Sequence, residues 1–140
     1  FAFFLAYILV IFRIAFLCRE PGSRKAISLV LFETWGHTFH MHAMFVENII
    51  MFIPLGVLLP ILFRKFRSGW ACVLTGFICS CSIEILQHIT QTGYLQLDDV
   101  VTNTVGALLG WAVWRVLSSS ISFSISLRLR SECSSSREKR

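Results

Sequence analysis

Asp98-Asp99-Val100-Val101-Thr102-Asn103-Thr104-Val105-Gly106-Ala107-Leu108-Leu109-Gly110 opens an apolar run that continues to Leu117. Asp99, Asn103, Gly106 and Gly110 follow i, i+4, i+7, i+11, so on a helix they share one face. The remaining faces are apolar, and Val100 to Leu117 approaches the roughly 20 residues that cross a bilayer. The spacing therefore predicts a transmembrane helix with a polar and small-residue stripe turned toward a neighbour. Gly106 and Gly110 form a GxxxG pair that lets another helix approach closely, within the chain or in an oligomer.

Three further apolar runs precede this one. Phe1 to Cys18 is apolar except for Arg13, ends before the polar stretch Arg19 to Lys25, and has no small-residue cleavage site, so it reads as a retained helix. Ala43 to Phe63 contains Glu47, Asn48, Pro54, Gly56 and Pro60 and is closed by Arg64-Lys65-Phe66-Arg67. Its prolines imply a kink, tolerated where neighbouring helices support the backbone. Trp70 to Ile89 is apolar, apart from Ser and Thr, until Glu84, Gln87 and His88. Ala26 to Trp35 is too short to cross and carries Glu33, which suits an interfacial segment.

Composition excludes a soluble domain. Of 140 residues 55% are hydrophobic and 15% charged, with mean hydropathy +0.69, more apolar than water-soluble chains. The expected fold is all-α, a polytopic bundle of about four transmembrane helices with a short interfacial segment. Residues 1–117 form the membrane domain, and residues 118–140 a Ser-rich, basic tail, poorly ordered or lying on the surface.

The net charge of +5 does not indicate a nucleic-acid partner, because the basic residues sit at the ends of the apolar runs. That placement sets topology and contact with anionic lipid. Arg64, Lys65 and Arg67 share a side with the basic tail, so both termini are expected in the cytoplasm of a multi-pass cell-membrane protein. The five cysteines are an odd set, at least three of them inside apolar runs, and imply no disulfide framework.

Under this topology the polar residues converge on the outer leaflet. Asn48 lies near the outer end of the second span, Glu84 and Gln87 share a face near the exit of the third, and Asp98, Asp99 and Asn103 open the fourth. Arg19 brings a positive charge to the same level. Interhelical hydrogen bonding explains Asn and Gln, but a charge in hydrocarbon costs about 2.5 to 3.5 kcal/mol on insertion scales and marks a functional site by default. Three carboxylates near one arginine suit a general acid, or a hard cation held by oxygens. Neither zinc at His37, His40 and His42 nor a serine nucleophile at Ser80 or Ser82 has the partners such chemistry needs.

Asn48 through Gly56 (Asn-Ile-Ile-Met-Phe-Ile-Pro-Leu-Gly), Glu84-Ile85-Leu86-Gln87, and Asp98 through Gly106 resemble the VanZ-like family of bacterial membrane proteins. The likeness covers Asn48 to Leu117, with Arg19 in the place of the arginine that commonly follows the family's first span. Leu29-Val30-Leu31-Phe32 lacks the Asn and Pro of the family's Asn-Leu-Ile-Pro-Phe segment. The resemblance implies a link to glycopeptide (teicoplanin) resistance and a kinship with membrane enzymes acting on lipid headgroups.

Two functions of different class follow. One is a lipid-headgroup hydrolase or transferase acting on a lipid or lipid-linked wall precursor, with Glu84 and Asp98 or Asp99 as acid and base. Arg19 would hold a phosphate, while Asn48, Gln87 and Asn103 orient substrate; the sequence names no cofactor and no metal set. The other is a non-catalytic protein that binds precursor or glycopeptide and alters wall access. A small transporter is a weaker third reading, since about four short spans would have to oligomerise to form a path.

Overall fold

The computed structural model describes residues 1–17, 27–32, 35 and 39–138. In chain order it contains α1 (Ala2–Phe12), a π-helical turn (Arg13–Leu17), β1 (Ile27–Ser28), α2 (Phe39–Leu62), a 3-10 turn (Arg64–Arg67), α3 (Gly69–Thr90), β2 (Leu95–Gln96) and α4 (Leu97–Glu138). Three helices are long and apolar enough to cross a membrane, over Met41–Leu62, Gly69–Thr90 and Leu97–Ile125; Ala2–Leu17 is a shorter apolar helix. The chain is an all-α membrane protein, and its outward surfaces are apolar: Ile50, Ile61, Ile78, Leu86 and Leu108 are all exposed. In water such a surface would be an aggregation liability; against lipid tails it is the expected solvent face.

The α2–α4 pair is the most extensive helix contact in the fold, with α3 second against α4. Glycine makes the first possible. A Cβ on Gly110 would sit 2.1 Å from the Ile53 carbonyl oxygen, one on Gly106 2.2 Å from that of Ile49, and one on Gly56 2.1 Å from that of Ala107. The GxxxG spacing thus serves an intrachain contact, filled by α2, with both glycines buried. Phe52, Leu55, Leu59, Cys72 and Ala107 complete the buried apolar core around the crossing.

α2 runs unbroken through Pro54 and Pro60. Proline has no N–H, so Pro60 leaves the carbonyl of Gly56 without its usual helix donor. The Cys72 thiol of α3 faces that carbonyl at 3.8 Å. α3 ends at Gln91, whose φ of 56° is left-handed, and Thr92 N–H donates to the Gln87 carbonyl at 3.0 Å. This cap stops the helix one turn past Gln87.

Three elements differ from the sequence reading. α2 begins at Phe39 rather than Ala43, so Asn48 lies about 13 Å along its helix instead of one turn down. The interfacial stretch contributes a parallel two-residue pairing, Ile27 with Leu95 and Ser28 with Gln96. α4 continues as helix to Glu138, past the point where a poorly ordered tail is expected. Serines at 119, 120, 122 and 124 return their hydroxyls to carbonyls four residues back, which satisfies their polarity inside the helix.

Candidate functional site

A cavity of about 530 Å³ lies between α1 and the α2–α3–α4 core. α1 and its π-helical turn supply an apolar wall that includes Val10, Ile11 and Ile14. α2 contributes Asn48, Met51 and Pro54, α3 Glu84 and Gln87, and α4 Asp99 and Asn103. One end of the space is thus carboxylate and amide, the remainder hydrocarbon. Glu47, exposed on α2, also borders it.

Helical spacing explains the polar end. Asn103 is six residues into α4 and Glu84 six from the end of antiparallel α3, so both lie about 9 Å from the same helix termini. On α3, Cys72, Gly76, Ser80, Glu84 and Gln87 are all buried and recur at i, i+4, i+8, i+12 and i+15, one face toward α4. Gly76 lets the helices meet there, since a Cβ would stand 2.6 Å from that of Ala107.

The buried polar groups are tied together. Asn48 Nδ2 donates to Asp99 Oδ1 at 2.7 Å, and Asn103 Nδ2 to Ser80 Oγ at 2.9 Å. Gln87 Nε2 donates to the Ala15 carbonyl at 3.0 Å, joining α3 to the turn after α1. Gln96 N–H donates to Glu84 Oε2 at 3.0 Å, anchoring the β2 strand over the polar end. Two acceptors in the cavity wall, Gln87 Oε1 and Asn103 Oδ1, are buried and have no hydrogen-bond partner among the described residues. Buried acceptors without partners are uncommon, and each calls for an explanation such as an absent ligand or water.

The structure therefore brings together Asn48, Glu84, Gln87, Asp99 and Asn103. Asp98 stands apart: although only 3% exposed, it does not border the cavity, and its Oδ1 accepts the Phe32 N–H at 2.6 Å. Successive helix residues point about 100° apart, and here that step carries the Asp98 carboxylate to the Phe32 backbone while Asp99 borders the cavity. Arg19 lies outside the described residues, as does His37. Ser80 and Tyr7 are participants that sequence reasoning missed. Ser80 lies on the i, i+4 stripe with Glu84, the signal that would have found it; Tyr7, whose hydroxyl donates to the Met51 carbonyl at 2.9 Å, carries no such signal.

At each end of the bundle tryptophan marks the level where a membrane interface would fall. At the polar end Trp35 packs on His42 and Phe45, with ring centroids 4.5 and 4.9 Å away. At the other end Trp70 is exposed and Trp111 Nε1 donates to the Arg67 carbonyl at 3.2 Å, beside the exposed Arg64, Lys65 and Arg67.

Three long apolar helices packed around buried acids and amides define the class, a helical membrane protein. Residues 3–118 match the family model described as VanZ/LLP1, and the chain belongs to that family. It is 36% identical over 89 residues to Protein VanZ of Enterococcus faecium, an alignment covering 62% of this chain and 51% of that protein. The chain thus aligns with about half the length of this curated relative. No solved structure matches.

Proposed function

We propose that this chain acts on the headgroup of a lipid or lipid-linked wall precursor, held with its hydrocarbon along α1 and its headgroup at Glu84 and Asp99. The observation that carries this reading is the two-part cavity, acid and amide at one end and apolar along the rest. A water-soluble substrate needs no hydrocarbon wall, and packing alone leaves no such space. In the reaction, one carboxylate takes a proton from the attacking water or acceptor hydroxyl. The other returns a proton to the headgroup oxygen as its ester or phosphoester bond breaks. Arg19 holds the phosphate, and the amides orient the headgroup.

The polar end belongs to the outer leaflet in this proposal, with both termini cytoplasmic in a multi-pass cell-membrane protein, because the basic 3-10 turn lies at the opposite end. An impermeant thiol reagent should label Gln96→Cys in intact cells and spare Ser68→Cys; the reverse pattern places the site at the inner leaflet. A link to teicoplanin resistance follows from the family resemblance and belongs to the same proposal.

Glu84→Gln tests the chemistry, since it removes the titrating group and retains an oxygen that can accept from Gln96 N–H. Lipid analysis of cells carrying the variant should match that of cells lacking the protein, while the variant stays folded and inserted. One observation favours the second reading, a non-catalytic binding or shielding protein: Glu84 and Asp99 each already accept a hydrogen bond from the protein. In that case Glu84→Gln retains function.

A further inference from the structure

Two buried acceptors on the cavity wall define what a bound headgroup must present, an inference that rests on the proposed lipid-headgroup role and gives it a ligand class. Gln87 and Asn103 both border the space, and each is only 2% exposed. The Gln87 amide is oriented by its partner: the Ala15 carbonyl can only accept, so Nε2 is the bonded atom and Oε1 is left as an acceptor. Asn103 Nδ2 donates to Ser80 Oγ, which leaves Oδ1 as the second. Neither oxygen has a hydrogen-bond partner among the described residues. They also stand at two levels, since Asn103 is level with Glu84 and Gln87 lies one turn, about 4.5 Å, nearer the end of α3. The carboxylates of Glu84 and Asp99 accept bonds within the protein, from Gln96 N–H and Asn48 Nδ2. The wall atoms with an unmet need are thus two neutral amide oxygens.

A buried acceptor is satisfied only by a donor, and a hydroxyl supplies one O–H, so two acceptors at different levels call for at least two hydroxyls. A phosphate oxygen or a trimethylated ammonium offers no donor. A primary ammonium offers N–H groups but brings a charge that neutral amide oxygens do not pair, and burying an unpaired charge costs far more than burying a hydroxyl that is hydrogen-bonded. We infer that the cavity selects lipids whose headgroup ends in an uncharged polyol or sugar, with hydroxyls donating to Gln87 Oε1 and Asn103 Oδ1. The hydrocarbon of such a lipid lies along the apolar wall that Val10, Ile11 and Ile14 supply.

The test uses the full chain purified in detergent and native mass spectrometry with lipids of identical acyl chains. Phosphatidylglycerol and phosphatidylmethanol carry the same charge and differ in the two hydroxyls, so the first should be retained about tenfold over the second. Phosphatidylethanolamine, whose donors come with a positive charge, should also fall below phosphatidylglycerol. Gln87→Met removes one acceptor and should bring the phosphatidylglycerol to phosphatidylmethanol ratio toward unity with phosphatidylmethanol retention unchanged. Soluble glycerophosphoglycerol at equal concentration should not displace the lipid. Equal retention of phosphatidylglycerol and phosphatidylmethanol by the unaltered chain overturns the hydroxyl inference, whatever the variant does, and leaves the lipid-headgroup reading standing. Retention of phosphatidylethanolamine equal to that of phosphatidylglycerol overturns the preference for an uncharged donor, and a folded Gln87→Met with an unchanged ratio overturns the assignment to Gln87. Equal displacement by the soluble compound overturns the lipid as the source of the hydroxyls. Failure to retain lipid of any kind overturns the underlying reading itself.

Discussion

The two ends of the α2–α4 pair are built on opposite principles. Around Gly56, Gly106 and Gly110 the backbones approach until no methyl group fits between them. Toward the other end, the core supplies Asn48, Glu84, Gln87, Asp99 and Asn103, α1 makes sparse contact with α2, and about 530 Å³ remains open. Without a hydrophobic drive between helices in lipid, close packing of small residues holds a bundle together. The glycine end can thus fix the helices while the polar end keeps its space.

Breaking the tight end should have the largest effect. In a solvent-exposed helix Gly→Ala gains about 1 kcal/mol of propensity, but at Gly110 the new methyl meets the Ile53 carbonyl at 2.1 Å. Overpacking of this kind costs about 1 to 3 kcal/mol, so Gly110→Ala should lower the unfolding midpoint in detergent and Gly110→Leu should prevent accumulation of folded protein. A neutral Gly110→Leu would refute the rigid role of this end.

At the polar end no single substitution should reach the loss of folded protein expected for Gly110→Leu. Asn103→Leu leaves the buried Ser80 hydroxyl without its partner and should cost about 1 to 3 kcal/mol in a reversible unfolding measurement. Asn48→Leu removes the charge-assisted bond to Asp99 and should fall in a similar range, about 1.5 to 3 kcal/mol. Tyr7→Phe deletes a single hydrogen bond between α1 and α2 and should cost only about 0.5 to 1.5 kcal/mol. Hydrogen exchange should then rise at α1 and stay unchanged at Gly106. Equal loosening at both ends would remove the distinction between them.

The sequence makes the two ends unequally legible. Apolar run length locates α3 and the starts of α2 and α4 to within a few residues, and the i, i+4, i+7, i+11 spacing of Asp99, Asn103, Gly106 and Gly110 names the buried face of α4. The fate of Asp98 is different: the sequence pairs it with Asp99, and what separates them is the Phe32 N–H, a partner 66 positions away that takes the Asp98 carboxylate. The cavity is not written in any one run, because it arises from the distance between α1 and the core. Nor is the β1–β2 pairing, a contact of two residues on each strand across 68 positions of sequence. α4's extension to Glu138 escapes composition because its serines satisfy themselves within the helix.

The central claim is that a lipid headgroup occupies the space between α1 and the polar end of the core. The most direct test is photolabelling of the membrane-embedded full chain with a lipid carrying its photoreactive group in the headgroup, followed by peptide mapping. Label concentrated on the helix segments bearing Asn48, Glu84, Gln87 and Asn103, and competed by unlabelled lipid, is the predicted result. Uniform labelling of both bundle ends, with Trp70 and Trp114 modified as strongly as these positions and no competition, would contradict it.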